Sequence, residues 1–222
     1  NAGGSTLHSF FKLPFHPLLP NDSMYSVRNI RNTLKYNSEK IKIIREVELI
    51  IIDEISMVRA DIIDFLDKIL RVYCRNMREP FGGKQLLLVG DIFQLEPVVR
   101  EDDRRLLSPF YRSSFFFNAK VFEYFKLVSI ELKKVYRQSD PVFISILDHI
   151  RTSQVPMQDL QRLNQRVGAQ LDESDSKLAI TLSTRRDTVD YINDSQLQCL
   201  PGEPCLFRGH IQGEFPESSL PT

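Results

Sequence analysis

The sequence lacks several features that mark particular classes of protein. It has no tryptophan and only three cysteines in 222 residues. The cysteines are too few, and odd in number, for a disulfide framework, and no pair has the spacing of a zinc site. No apolar run approaches the roughly 20 residues of a membrane span, and no signal peptide is recognisable. We therefore expect an intracellular protein (cytoplasmic in a bacterium, nuclear or mitochondrial in a eukaryote) without a membrane partner.

The chain also lacks an excess of charge. Lys and Arg together number 29, as do Asp and Glu, so the net charge gives no indication of a nucleic-acid partner. Residues 28–45 are an exception, because one acid, Glu39, stands among six basic residues. We predict a helix here with Ile41 and Ile44 facing inward, and its charge forms either a solvated face or a strand-binding surface. The six are Arg28, Arg31, Lys35, Lys40, Lys42 and Arg45.

An apolar run that ends in two acids is the most informative stretch. Residues 49–52 are four consecutive aliphatics and lead directly into Asp53 and Glu54. Such a run is typical of a strand buried on both faces of a parallel sheet, where functional residues follow the carboxyl ends of the strands. The pattern indicates a Walker B element, in which Asp53 holds a hydrated Mg²⁺ and Glu54 polarises the attacking water. Alternatively, one of the acids only caps the next helix.

A second apolar run leads to the same edge of the predicted sheet. Residues 85–89 are followed by Gly90-Asp91 and then by Gln94. Because parallel strands end at one edge, we expect Asp91 near the water shell of the metal and Gln94 near a terminal phosphate oxygen. A glutamine in that place can bond the γ-phosphate and shift when it leaves, which is a way to sense hydrolysis.

Two segments suit contacts with phosphate groups. The glycines at 3 and 4 precede Thr6, His8 and Ser9, which indicates a phosphate-binding turn or, alternatively, only a capped turn at a helix start. Ser183, Thr184 and Arg185 follow a predicted buried strand at 178–182, and hydroxyls and arginines at a strand end also suit phosphate.

Arg137 is a further candidate, because it stands just before a predicted helix start at Asp140-Pro141. It can project onto a γ-phosphate as an arginine finger or remain an ordinary surface residue.

Other elements are predicted from periodicity and from breaker residues. The aromatic residues between 115 and 130 can stack on bases, but apolar neighbours favour a place in the core. The remaining predictions are a helix from Ala60 to about Asn76 broken at Pro80–Gly83, a charged surface loop at 101–105, a helix after Pro141, a short helix closed by Gly168, and a helix carrying Val189, Ile192 and Leu197.

The order and spacing of these motifs resemble one family. It is the petite-integration-frequency (PIF) family of DNA helicases, relatives of the RecD helicases in superfamily one. The resemblance covers nearly the whole chain. It is carried by Asp53-Glu54-Ile55-Ser56-Met57, Gly82-Gly83-x-Gln85, Gly90-Asp91-x-x-Gln94-Leu95-x-Pro97-Val98 and Tyr136-Arg137-Gln138.

The resemblance implies a fold and an activity. The expected fold is α/β, a RecA-like P-loop NTPase with a parallel sheet flanked by helices. Residues 1–130 would form part of a first RecA-like domain, with an inserted segment at about 12–45, and residues 131–222 part of a second. The implied activity is ATP-dependent 5′-to-3′ unwinding of DNA in replication, repair or recombination. The implied cofactors are ATP and Mg²⁺, and the implied partners of a monomer are single-stranded DNA and forked duplex DNA.

The resemblance also assigns roles to residues. Those implied at the nucleotide are Asp53 for the metal, Glu54 for the water, and Asp91, Gln94 and Arg137 near the phosphates. Those implied at single-stranded DNA are Thr6, His8, Ser9, Ser183, Thr184 and Arg185. Residues 59–84 match the signature region of the family.

The sequence departs from the family in two respects. Glu96 stands where the family usually has proline. The Gly-rich Walker A loop, which precedes this region in the family, is absent, so we expect a fragment that does not hydrolyse ATP alone. Glu54-dependent turnover by the fragment would contradict this expectation. Two other functions stay open: a translocase without strand separation, and a non-enzymatic module that binds single-stranded nucleic acid.

Overall fold

The computed structural model describes residues 3–170, 179–203 and 205–210. The chain divides into two compact units, of which the first ends at Arg162 and the second begins at Leu163. The boundary between two RecA-like domains at about residue 130 stays a prediction. Within the described ranges, no helix is long and apolar enough to cross a membrane.

Two strands flank helix α4, and other helices precede and follow them along the chain. The described elements are α1 (Leu7–Phe11), α2 (Ile30–Leu34), α3 (Ser38–Glu46), β1 (Leu49–Ile52), α4 (Ala60–Cys74), β2 (Gln85–Leu88), α5 (Glu101–Leu107), α6 (Val121–Tyr124), α7 (Pro141–Arg151), α8 (Met157–Asn164) and α9 (Arg186–Gln198). Short 3-10 turns span Ile55–Met57, Pro80–Gly83 and Phe116–Asn118.

The two strands form a parallel pair. Leu49 of β1 lies opposite Gln85 of β2, and Ile52 lies opposite Leu88. Helix α4 lies between them in sequence, as parallel strands require a crossover connection. The α/β class with a parallel sheet is therefore confirmed.

The expectation that β1 is buried on both faces is wrong. Ile52 is only 4% exposed, whereas Ile51 on the opposite face is 60% exposed. Successive side chains of a strand point to opposite faces. Among the described residues only one face of the pair is covered, so Leu87 of β2 is exposed as well.

Helix α4 forms the centre of the core of the first unit. The prediction of a helix from Ala60 to about Asn76 is confirmed, and the helix ends at Cys74 with Arg75 in the left-handed conformation. Four of its apolar residues are almost completely buried: Ile63, Leu66, Ile69 and Leu70.

The basic segment 28–45 contains two helices instead of one. Lys35 ends α2 in the left-handed conformation, and Asn37 then caps α3 by accepting a hydrogen bond from the Lys40 amide. As predicted, Ile44 is buried and Ile41 is partly buried against the core.

Two of the six basic side chains in that segment bind the carboxyl end of α4. Arg31 donates to the carbonyl of Val72 at 2.6 Å, and Arg45 donates to the carbonyl of Tyr73 at 3.0 Å. Cations there satisfy unpaired carbonyls and favour the helix dipole. These two arginines therefore have a structural role, while a strand-binding surface on this segment stays a prediction.

Two further predictions about local structure are wrong. Residues 101–105 belong to α5. Three acids in its first turn interact favourably with the helix dipole, and Leu107 in its last turn is buried. Residues 179–182 form no strand in the described part of the chain, since Ile180 and Leu182 are exposed and lack a pairing strand. Residue 178, the first of that predicted strand, lies outside the described residues.

Other local predictions are confirmed wholly or in part. Asp140 caps α7 by accepting from the amides of Val142 and Phe143. The helix with Val189, Ile192 and Leu197 is α9, although none of its residues is buried. Gly168 has a positive φ after α8. The aromatic segment is core only in part, because Phe116 is buried while Phe117 and Tyr124 are exposed.

Gly82 makes a tight contact with α4 that yields a stability prediction. Its φ is +64°, and a Cβ there would lie 2.7 Å from the carbonyl oxygen of Leu70. Gly82→Ala should therefore lower the free energy of unfolding by about 2–4 kcal/mol, through backbone strain and overpacking. The measurement is urea denaturation of the full-length gene product, with amide exchange in α4 as the local readout.

Gly83→Ala is the matched control. Its φ is +82°, but a Cβ there would meet only the ends of the Glu79 and Asn76 side chains, which can move away. The free energy of unfolding should fall by about 1 kcal/mol, because only the positive φ is unfavourable for alanine. Equal losses for the two variants would contradict the proposed contact with Leu70.

Candidate functional site

The carboxyl ends of β1 and β2 are joined by two backbone hydrogen bonds. The amide of Val89 donates to the carbonyl of Ile52 at 2.9 Å, and the amide of Ile55 donates to the carbonyl of Val89 at 3.0 Å. A Cβ on Gly90 would lie 2.9 Å from the nitrogen of Ile55, so no larger residue fits without a shift of the backbone. The turns after the two strands are therefore in direct contact.

Asp53 and Glu54 lie in the turn after β1 with exposed side chains. Oδ1 of Asp53 accepts from the amide of Glu54 at 2.9 Å, and Oδ2 accepts no hydrogen bond within the described residues. Glu54 has a φ of +52°, a costly conformation for a non-glycine residue. Glu54 occupies the N-cap position of the 3-10 turn Ile55–Met57 but makes no side-chain capping hydrogen bond, and the N-cap residue of α4 is Arg59, so neither carboxylate caps a helix.

The turn after β2 is shaped by Asp91. Its Oδ1 accepts from the amide of Phe93 at 3.0 Å, and its Oδ2 accepts weakly from Nε2 of Gln94 at 3.4 Å. The amide of Gln94 also donates to the carbonyl of Asp91. Asp91 thus holds Gln94 within the turn after β2, while contacts of either side chain with a nucleotide or a metal stay predictions.

Arg151, at the end of α7, is a site residue that the sequence reasoning missed. Its guanidinium lies 3.7 Å from Oδ1 of Asp91 and over the ring of Phe93, 5.2 Å from its centroid. It also pairs with Asp148 one turn earlier at 3.0 Å. The spacing to Asp148 is visible in the sequence, but nothing in the pattern indicates a contact 60 residues away.

Arg137 is not brought to this edge by any contact. It is exposed, and within the described part of the chain it makes no hydrogen bond or ion pair. Its role at a γ-phosphate stays a prediction.

Thr6, His8 and Ser9 lie at the start of α1. Oγ1 of Thr6 accepts from the amide of Ser9 at 3.2 Å, so the capped turn is present. The hydroxyl hydrogens of Thr6 and Ser9 remain able to donate to a ligand. Partial burial, with a smaller effect of Arg59, lowers the pKa of His8, so its imidazole is neutral near pH 7.

Ser183, Thr184 and Arg185 lie in the second unit, immediately before α9. Oγ of Ser183 accepts from the amide of Arg185 at 3.1 Å, and the Arg185 guanidinium forms a bidentate pair with Asp187. All three predicted residues are exposed. Arg185 is thus already paired with a carboxylate, and a contact with nucleic acid stays a prediction.

Comparisons with known proteins agree on one family. The family model described as PIF1-like helicase matches residues 1–160. The ATP-dependent DNA helicase PIF1 of Xenopus laevis is 39% identical over 158 residues, which are 69% of this chain and 23% of that protein. The protein of the same name from Saccharomyces cerevisiae is 30% identical over 221 residues, which are 99% of this chain and 24% of that protein.

Solved structures show the same likeness. Bacteroides Pif1 bound to single-stranded DNA is 40% identical with a TM-score of 0.83, covering 100% of this chain and 49% of that one. Pif1 from Bacteroides in complex with ADP-AlF3 and single-stranded DNA is 38% identical with a TM-score of 0.79, covering 99% and 49%. The chain therefore spans about a quarter of these curated relatives and about half of these solved chains.

The contact between Arg151 and Asp91 predicts a measurable effect on turnover. If the full-length gene product hydrolyses ATP at this edge, Arg151→Ala should lower the kcat about two- to fivefold, since a partly exposed ion pair contributes up to about 1 kcal/mol. The affinity for single-stranded DNA should not change.

Arg105→Ala is the control, because Arg105 forms an exposed helical pair with Glu101 on α5. An equal loss of kcat in both variants would contradict a specific role for Arg151.

Proposed function

This chain belongs to the PIF1-like helicase family, and on that premise we propose that its parent protein is an ATP-dependent DNA helicase. It translocates 5′ to 3′ along single-stranded DNA and separates duplex strands. The single observation that carries the proposal is the pair of backbone hydrogen bonds that sets the turn of Asp53 and Glu54 against Gly90-Asp91. Carboxylates and an amide at the end of two parallel strands suit a nucleotide and its metal.

Mg²⁺ fits the donor set at Asp53. Protein-bound Mg²⁺ usually takes one or two carboxylates and completes its shell with water and phosphate oxygens. Asp53 offers one exposed carboxylate whose Oδ2 accepts no hydrogen bond from the described part of the chain. When bound, the ion would neutralise charge that develops on the phosphates.

The side chains of this chain have separate roles in the proposed reaction. Glu54 accepts a proton from the attacking water and orients it toward the γ-phosphate. Gln94, held by Asp91, contacts that phosphate and shifts when it leaves. Arg137 reaches the same phosphate when the helicase closes on ATP.

Single-stranded DNA is the proposed partner at the amino-terminal segment. The hydroxyls of Thr6 and Ser9 and the ring of His8 lie on one short helix and suit a phosphate backbone. Ser183, Thr184 and Arg185 would provide a second contact. Support comes from Bacteroides Pif1, which has been solved bound to single-stranded DNA, and from a structure that concerns unwinding of forked double-stranded DNA by two coordinating Pif1 helicases.

Glu54→Gln tests the proposed hydrolysis. In the full-length gene product, the substitution should lower the kcat of DNA-stimulated ATP hydrolysis by about 100-fold or more, because it removes the proton acceptor. Binding of single-stranded DNA should persist. The measurement is phosphate release with and without single-stranded DNA.

Glu123→Gln provides a charge-matched control on the exposed surface of α6 and should leave turnover unchanged. Wild-type protein that binds DNA without hydrolysing ATP would contradict the helicase function and favour the binding module. A strand-displacement assay on a forked duplex distinguishes a helicase from a translocase without unwinding.

A further inference from the structure

Phe15 is exposed in a way that packing does not explain. Its side chain is 87% exposed, although Leu13 and Leu18 on either side of it are only 5% and 4% exposed. The backbone is therefore anchored next to the ring, while the ring itself points into solvent. The ring of Phe15 can therefore contact a ligand, while its buried neighbours hold the backbone in place.

Hydrogen bonds fix both ends of this segment. The amide of Leu13 donates to the carbonyl of His8 at 3.0 Å. The amide of Leu18 donates at 2.9 Å to Oδ2 of Asp61, a fully buried carboxylate that Arg59 holds in a bidentate pair. The position of Phe15 is thereby determined by α1 on one side and by the start of α4 on the other.

The ring of Phe15 stacks on His8. The two ring centroids are 5.3 Å apart, and the planes differ by 8°. The two rings are nearly parallel but offset, and the exposure of Phe15 leaves most of its ring surface open. Because the imidazole of His8 is neutral near pH 7, the pair presents an uncharged aromatic stack.

Groups that suit phosphate lie on the same short helix as His8 or at its two ends. Thr6 and Ser9 carry hydroxyls on the same helix as His8, and Lys12, which follows that helix, is exposed. An aromatic face beside hydroxyl donors and an ammonium group matches a nucleotide unit, with a base on the ring and phosphates on the polar groups. An apolar protein segment would leave those polar groups without a partner.

We propose that Phe15 is a stacking platform for one base of single-stranded DNA and extends the stack of His8 and Phe15 by one plane. The inference deepens the proposed function and rests on it. Stacking on an aromatic ring tolerates any base, so the contact gives affinity without sequence selection.

The test is a double-mutant cycle in which the Phe15 side chain and the DNA base are removed separately and together. Fluorescence anisotropy measures binding of a short oligothymidine, and of a matched strand with abasic sites, to the full-length gene product at one salt concentration. Phe15→Ala should weaken binding of the oligothymidine about fivefold or more, whereas Phe15→Trp should retain it. On the abasic strand, wild type and Phe15→Ala should bind equally.

Tyr124→Ala is the matched control, because Tyr124 is equally exposed and lies on α6. It should bind both strands like wild type. Equal losses for Phe15→Ala on both strands would overturn the stacking role, as would wild-type affinity of Phe15→Ala for the oligothymidine. Absence of wild-type binding to either strand would overturn the proposed function itself, and is thereby distinguished from failure of this inference alone.

Discussion

The hydrogen bond from the amide of Ile55 to the carbonyl of Val89 is the interaction on which the candidate site depends. It joins the turn after β1 to the end of β2. The backbone of Ile55 can come this close to Gly90 only because Gly90 has no side chain. The turn places Glu54 at a positive φ, so its conformation is maintained by these neighbours and not by local preference. Without this contact, Asp53 and Gln94 would belong to separate loops.

Helix α4 provides the second constraint, because its two ends hold different parts of the first unit. At its start, Asp61 accepts a hydrogen bond from the amide of Leu18 and so anchors the segment that carries Phe15. At its end, the carbonyls of Val72 and Tyr73 accept from arginines of the basic segment. The same helix therefore holds the segment that carries Phe15 at its start and the basic segment at its end.

Local chemistry made much of this predictable from sequence. The period of α4, the cap at Asp140 and the two apolar runs that end in acids are all determined by neighbouring residues. Two of the wrong predictions, the burial of both faces of β1 and the strand at 178–182, depend on distant partners. Burial of a strand face requires another layer, which Ile51 lacks within the described residues.

Contacts that form only in the folded chain explain why the sequence did not indicate two further residues. The pairing of Arg151 with Asp91, and the stack of Phe15 on His8, arise only when the chain has folded. A pattern of residue types cannot show either contact, because arginine and phenylalanine also occur on protein surfaces that have no functional site.

A crystal structure of the full-length gene product with Mg²⁺, ADP-aluminium fluoride and single-stranded DNA tests the central claim most directly. The account predicts the phosphate analogue at the joined ends of β1 and β2, with Gln94 within about 3 Å of it and the metal or its water at Asp53. A nucleotide bound elsewhere, with Asp53 and Glu54 facing only solvent, would contradict the account.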